Sequence, residues 1–127
     1  MKICFDFDGT LSEPTVQNFC RDLVAQGHEA WICTMRYSPA DLAELEWEDY
    51  NDDLFRVATN CGISPEAVIF TGLEEKSKFL ESHNFSFHLD DDAGVVAEIN
   101  SHLPNLAVLY PSAKQAWREA CLVRLIC

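Results

Sequence analysis

The chain has 127 residues, of which 48% are apolar, and its 9 basic and 21 acidic side chains give a formal net charge of −12. This length and apolar content exclude a disordered chain and predict one globular domain over residues 1–127. No apolar stretch approaches the roughly 20 residues that cross a bilayer, so no membrane is expected as a partner, and the acidic charge disfavours long nucleic acids.

Strands and helices are predicted to alternate along the chain. The first strand covers 2–7, followed by a helix from Pro14 to Gly27, a strand over 29–34, one or two helices over 38–62 and a strand over 66–70. A helix over 73–84, a strand over 85–89, a helix over 93–103, a strand over 106–110 and a helix over 112–126 follow. This alternation predicts an α/β fold with a central parallel sheet of about five strands and helices on both faces.

Polar side chains stand at the carboxyl ends of three predicted strands. They are Asp6 and Asp8 after the first strand, Thr34 after the second, and Asp90 and Asp91 after the fourth, with Lys76 on the preceding helix. Because ligands of open parallel sheets bind beyond these strand ends, the side chains are expected to form one site. Clustered carboxylates suit Mg²⁺, and a free aspartate oxygen beside the metal can attack a phosphoryl group.

Four motifs resemble those of the haloacid dehalogenase (HAD) superfamily, in the same order and over about residues 2–95. They are DFDGT behind an apolar strand, AWICT followed by MR, KSKFL, and FSFHLDDD. The resemblance implies a Rossmann-like HAD core and a Mg²⁺-dependent phosphatase that forms an aspartyl-phosphate intermediate. The segments where family members carry a cap, GTLSEP and TGLEE, are too short for a domain. We therefore expect no cap domain.

The resemblance also implies a role for each motif residue. Asp6 would be the nucleophile and a Mg²⁺ ligand, and Asp8 would be the general acid and base, with its backbone carbonyl on the metal. Thr34 would bond a phosphoryl oxygen, and Lys76 would balance the charge of nucleophile and phosphate. Lys78 is the alternative to Lys76. We prefer Lys76 because the apolar residues three and four positions after Lys76 would form the core side of the helix.

Asp90 or Asp91 would complete the metal site, and both remain candidates. The expected substrate contacts are Gly9, Thr10, Met35 and Arg36. The position of Arg36 resembles that of an arginine in the 3′-phosphatase domain of polynucleotide kinase-phosphatases, where it could hold a second phosphate through two hydrogen bonds. The alternative to phosphate binding is that Arg36 pairs with one of the many acidic side chains, and the sequence does not favour either.

A nucleotide or another small phosphorylated metabolite is the expected substrate. Alternatives are a polynucleotide-end or phosphoprotein phosphatase and a non-catalytic module with the same fold. The segment 35–50 either leans over the site or packs as an ordinary helix, and the acidic stretch 44–53 is interpreted as a solvated face. No oligomeric state is favoured.

Several other residue types are interpreted as structural. His88 is expected to turn away from Asp90, and Trp31, Trp47 and Trp117 are expected to pack rather than to form a stacking platform. The six cysteines form no CxxC pair, and no secretion signal is expected from the N-terminal sequence. We therefore predict a cytoplasmic protein with reduced, mostly buried thiols.

Overall fold

A five-stranded parallel sheet lies at the centre of the computed structural model, which describes residues 1–47 and 49–126. The strands are β1 Lys2–Phe5, β2 Glu29–Thr34, β3 Val68–Phe70, β4 Phe85–Asp90 and β5 Ala107–Leu109. Their order across the sheet is β3-β2-β1-β4-β5, and every neighbouring pair is parallel. The predicted α/β fold with five parallel strands is confirmed.

Six helices connect or follow the strands. They are α1 Pro14–Ala25, α2 Pro39–Glu44, α3 Asp52–Cys61, α4 Ser77–Leu80, α5 Ala93–His102 and α6 Ala116–Val123. The boundaries follow local chemistry: Ser38 accepts a hydrogen bond from the backbone N–H of Asp41 at the start of α2, and Gly62 ends α3 in the left-handed conformation. Three shorter helical turns cover Phe7–Leu11, Pro65–Ala67 and Ala113–Gln115.

The helix predicted over 73–84 is reduced to the single turn of α4. The backbone N–H groups of Gly72 and Leu73 donate to the carbonyls of Arg36 and Met35, at 3.1 and 2.8 Å. Both residues also have positive φ angles, which a helix does not accommodate. The segment before α4 is therefore held against the loop after β2 instead of joining the helix.

The core forms two apolar clusters because successive strand residues point to opposite faces of the sheet. Ile3 and Phe5 of β1 join a cluster with α1, α3 and α6, whereas Cys4 joins a second cluster with residues of α4 and α5. Helices thus cover both faces of the sheet, as predicted.

The connections after β1 and β3 carry no inserted domain within the described residues, since α1 and α4 follow after 8 and 6 residues, at 6–13 and 71–76. Across 1–47 and 49–126, no helix is both long and apolar enough to cross a membrane. Five cysteines are buried and form no disulfide with one another, namely Cys4, Cys20, Cys33, Cys61 and Cys121. Cys127 lies outside the described residues.

Candidate active site

A cavity of about 430 Å³ opens at the carboxyl ends of β1, β2 and β4. The predicted residues in its lining are Asp6, Asp8, Thr34, Met35, Arg36, Lys76, Asp90 and Asp91. The sheet topology explains this convergence, because β1 lies between β2 and β4 and all three strands end at the same edge.

Lys76 joins the acidic ends of β1 and β4. Its Nζ donates to Asp6 Oδ1 at 2.9 Å and to Asp90 Oδ2 at 2.6 Å. All three residues are buried, and Lys76 is only 2% exposed. A buried ammonium group requires such partners, since an unpaired charge in the interior is costly. Lys78, the alternative in the sequence, is exposed and does not line the cavity.

The two carboxylates beside Lys76 have different proton affinities. Burial raises the pKa of Asp6 to about 7, with Lys76 opposing and Asp90 adding to the rise. Burial also acts to raise the pKa of Asp90, but the hydrogen bond from His88 and the charge of Lys76 lower it to about 2. Burial acts to lower the pKa of Lys76, yet Asp6 and Asp90 hold that pKa above its ordinary value. A further cation near Asp6 would favour its ionised form.

His88 contacts Asp90, and the prediction that it turns away is wrong. Its Nε2–H donates to Asp90 Oδ2 at 2.8 Å, and the ring is fully buried. Residues two positions apart on a strand face the same side, so alternation itself brings the two side chains together. Burial lowers the pKa of His88, which favours the neutral ring. Its Nδ1 has no hydrogen-bond partner among the described residues.

Asp91 completes a group of three carboxylates. Asp6, Asp90 and Asp91 each offer one oxygen, and these oxygens lie within 4.8 Å of one another. Thr10 Oγ1 donates to Asp6 Oδ2 at 3.0 Å and lies 3.4 Å from Asp91 Oδ1. A Cβ at Gly9 would lie 2.2 Å from Asp91 Oδ2, and Gly9 has a φ of +78°. Thr10 thus helps to hold Asp6 in place, and the absence of a side chain at Gly9 leaves room for the Asp91 carboxylate. Neither Gly9 nor Thr10 belongs to the cavity lining.

Asp8 occupies the turn after β1, because the strand ends at Phe5. Both of its carboxylate oxygens accept hydrogen bonds from Arg36, from Nη2 at 2.7 Å and from Nε at 3.0 Å. Arg36 also donates from Nη1 and Nη2 to Asp53, at 2.8 and 3.1 Å. Its guanidinium lies 5.0 Å from the ring centre of Phe7. Arg36 thus links two acidic side chains, and a second phosphate would have to displace them.

Thr34 is buried at the end of β2 and lines the cavity. Its Oγ1 accepts a hydrogen bond of 3.3 Å from the backbone N–H of Arg36. An acceptor role leaves the hydroxyl proton available for another oxygen. The side chain is therefore placed to donate into the cavity.

Part of the cavity lining is apolar, which the sequence did not predict. Four large side chains, here called the rim, belong to it: Tyr37, Trp47, Tyr50 and Leu73. The prediction for Trp47 is wrong, since it is exposed on the cavity, whereas Trp117 is buried and Trp31 packs on Phe85. The signal available in the sequence is that Trp47 and Tyr50 lie within a strongly acidic segment, where an aromatic side chain has no core to join.

Comparisons with protein-family models, with curated proteins and with solved structures found no match.

Proposed function

We propose that this chain is a Mg²⁺-dependent phosphomonoesterase of the haloacid dehalogenase type, acting in the cytoplasm through an aspartyl-phosphate intermediate. The observation that carries the proposal is the buried contact of Lys76 with Asp6 and Asp90 at the floor of an open cavity. Such an arrangement presents a carboxylate beside a fixed positive charge, which a nucleophile needs in order to approach an anionic phosphoryl group.

The three carboxylates fit a Mg²⁺ ion. They supply oxygen ligands alone, as this cation prefers, and the adjoining cavity leaves room for water and substrate oxygens. Asp6 and Asp91 would hold the ion, together with Asp90 Oδ1, which accepts one hydrogen bond of 3.2 Å from the backbone N–H of Asp92. When bound, Mg²⁺ would neutralise charge on the phosphoryl oxygens.

The proposed reaction has two steps. In the first, an oxygen of Asp6 attacks phosphorus, the bond from phosphorus to the ester oxygen breaks, and the leaving oxygen takes a proton from Asp8, which must enter the step in its carboxylic acid form. In the second, water attacks the phosphorus of the aspartyl phosphate and gives a proton to Asp8. This attack releases inorganic phosphate and restores the Asp6 carboxylate. Thr34 and Lys76 would stabilise the phosphoryl oxygens in both steps.

Arg36 must release Asp8 during this cycle. Both oxygens of Asp8 are bonded to the guanidinium, so the side chain must exchange at least one of these bonds for the leaving oxygen of the substrate. Asp8 is well exposed, at 62% of its side chain, which gives it room to rotate. The second partner of Arg36, Asp53, would hold the guanidinium in place while Asp8 moves.

The proposal is tested by assaying phosphate release from a panel of phosphomonoesters with Mg²⁺ and after chelation, for the wild type and Asp6→Asn. We expect Mg²⁺-dependent release by the wild type and none by a folded Asp6→Asn protein. Acid quenching during turnover, followed by borohydride reduction, should convert Asp6 to homoserine. Undiminished release by Asp6→Asn would disprove its role as nucleophile, and a wild type that releases no phosphate from any substrate would indicate a non-catalytic module.

A further inference from the structure

We infer that the rim binds the planar ring of the substrate, and that the substrate is a nucleoside monophosphate. This inference rests on the proposed function, which gives the position of the phosphate. It adds that the rest of the cavity binds the ring of the substrate. Its starting point is the juxtaposition, in one cavity, of the carboxylates and Lys76 with four exposed apolar side chains.

The rim is exposed to an extent that folding does not explain. The exposed fractions are 40% for Tyr37, 61% for Trp47, 54% for Tyr50 and 64% for Leu73. Large apolar side chains are normally buried, and a group of them around a cavity is typical of a binding surface. Other exposed apolar side chains, such as Leu122 and Val123 of α6, do not line this cavity.

Local contacts hold two side chains of the rim, Tyr50 and Tyr37, in place. The guanidinium of Arg36 lies 5.1 Å from the ring centre of Tyr50, and its Nη1 donates to the Tyr50 carbonyl at 3.4 Å. The ring of Tyr37 packs over Gly72, where an added Cβ would meet Tyr37 Cδ1 at 3.4 Å. A ring that is already oriented loses little conformational freedom when a ligand stacks on it, which favours binding.

Leu73 provides independent support. Its φ is +72°, a left-handed conformation that costs an L-residue stability, and its exposed side chain recovers little by burial. The backbone N–H of Leu73 is bonded to the Met35 carbonyl at 2.8 Å, which holds the side chain at the cavity. Strained residues of this kind concentrate in binding sites.

Charge in the cavity favours a ligand with one phosphate and an uncharged ring. Along the described lining, the cationic side chains are Arg36 and Lys76, and each is already bonded to two carboxylates. The lining also includes Asp91 and Asp92. A second phosphate would therefore meet negative charge without a free cation, whereas an uncharged ring would meet aromatic surface.

The size of the cavity agrees with this ligand. Its volume of about 430 Å³ lies within the range of roughly 300–1,000 Å³ that is usual for small-molecule sites. The polar part of the lining lies at the strand ends, whereas the rim consists of Tyr37 after β2, Leu73 after β3, and Trp47 and Tyr50. A ligand with a phosphate at one end and a base at the other matches this division.

The first experiment measures binding to the Asp6→Asn variant in Mg²⁺, so that no turnover occurs. The ligands are adenosine 5′-monophosphate, phenyl phosphate and glycerol 3-phosphate, titrated by calorimetry. We expect adenosine 5′-monophosphate to bind most tightly, and Trp47→Ala to weaken its binding about tenfold, the loss expected for one base stacked on one aromatic side chain. Leu45→Ala is the matched control, because Leu45 is exposed on the same segment but outside the lining.

The second experiment compares kcat/KM for adenosine 5′-monophosphate with that for glycerol 3-phosphate in the catalytically intact protein. Trp47→Ala should lower this ratio about tenfold, while Leu45→Ala should leave it unchanged. Equal ratios for wild type and Trp47→Ala, with hydrolysis intact, would overturn the ring site and leave the phosphatase standing.

The two proposals fail in distinguishable ways. Trp47-dependent binding of adenosine 5′-monophosphate without hydrolysis of any phosphomonoester would support the ring site and reject the proposed function. Phenyl phosphate that binds as tightly as adenosine 5′-monophosphate would overturn the nucleoside assignment in favour of an aryl phosphate.

Discussion

Replacement of Lys76 by methionine tests the charge arrangement of the site most directly. Methionine keeps most of the side-chain volume and removes the ammonium group, so Asp6 and Asp90 would be left buried beside each other without a cation. Loss of one partner from a buried charge network costs about 3–5 kcal/mol. For a domain of this size, we expect the melting temperature to fall by about 10–20 °C.

The loss of stability caused by Lys76→Met should depend on pH. The pKa of Asp6 is raised from its ordinary value of 3.8 to about 7 in the folded protein. The folded chain therefore keeps a proton that the unfolded chain releases, and stability falls as pH rises between these two values. A protonated Asp6 does not repel Asp90, so Lys76→Met should be less harmful near about pH 5 than near about pH 8.

The measurement is urea unfolding followed by circular dichroism in chelated buffer at both pH values, then at about pH 8 with Mg²⁺. Lys78→Met is the matched control, because it removes the same charge from an exposed position two residues away. Mg²⁺ should restore part of the stability lost by Lys76→Met at the higher pH. Equal stability of the two variants at the higher pH would refute the reasoning.

Two further substitutions test the metal site. Gly9→Ala should displace the Asp91 carboxylate, because its Cβ would lie 2.2 Å from Asp91 Oδ2, and should therefore weaken phosphatase activity and the rise in melting temperature caused by Mg²⁺. Gly27→Ala is the control: φ there is +99°, no described residue beyond the immediate chain neighbours lies within 4 Å of the added Cβ, and only a backbone cost of about 1–2 kcal/mol is expected. His88→Leu removes the hydrogen bond to Asp90. It should raise the Mg²⁺ concentration needed for half-maximal activity about 10- to 100-fold. An unchanged Mg²⁺ requirement would show that His88 does not position Asp90.

The sheet could be predicted because each strand is a short apolar run followed by a helix or a turn. The convergence of Asp6, Thr34 and Asp90 in one cavity follows from parallel topology and needs no further information. The choice of Lys76 over Lys78 also rested on local periodicity, and the structure buries the first and exposes the second.

Other parts of the site depend on contacts that a linear pattern does not contain. The pair of Asp8 with Arg36 joins residues 28 positions apart, and that of Arg36 with Asp53 joins residues 17 apart. The position of Trp47 at the cavity depends on how the segment after α2 returns to the strand ends. The error at His88 is of another kind, because period-two alternation should have placed it beside Asp90.

Backbone hydrogen bonds join the segments that follow β2 and β3. The N–H groups of Thr71, Gly72 and Leu73 donate to the carbonyls of Thr34, Arg36 and Met35 respectively, at 2.9, 3.1 and 2.8 Å. These hydrogen bonds join two sides of the cavity opening to one another. Binding of a ligand should therefore not require these two segments to close over it. Amide hydrogen exchange at Gly72 and Leu73 should be slow even in the ligand-free protein.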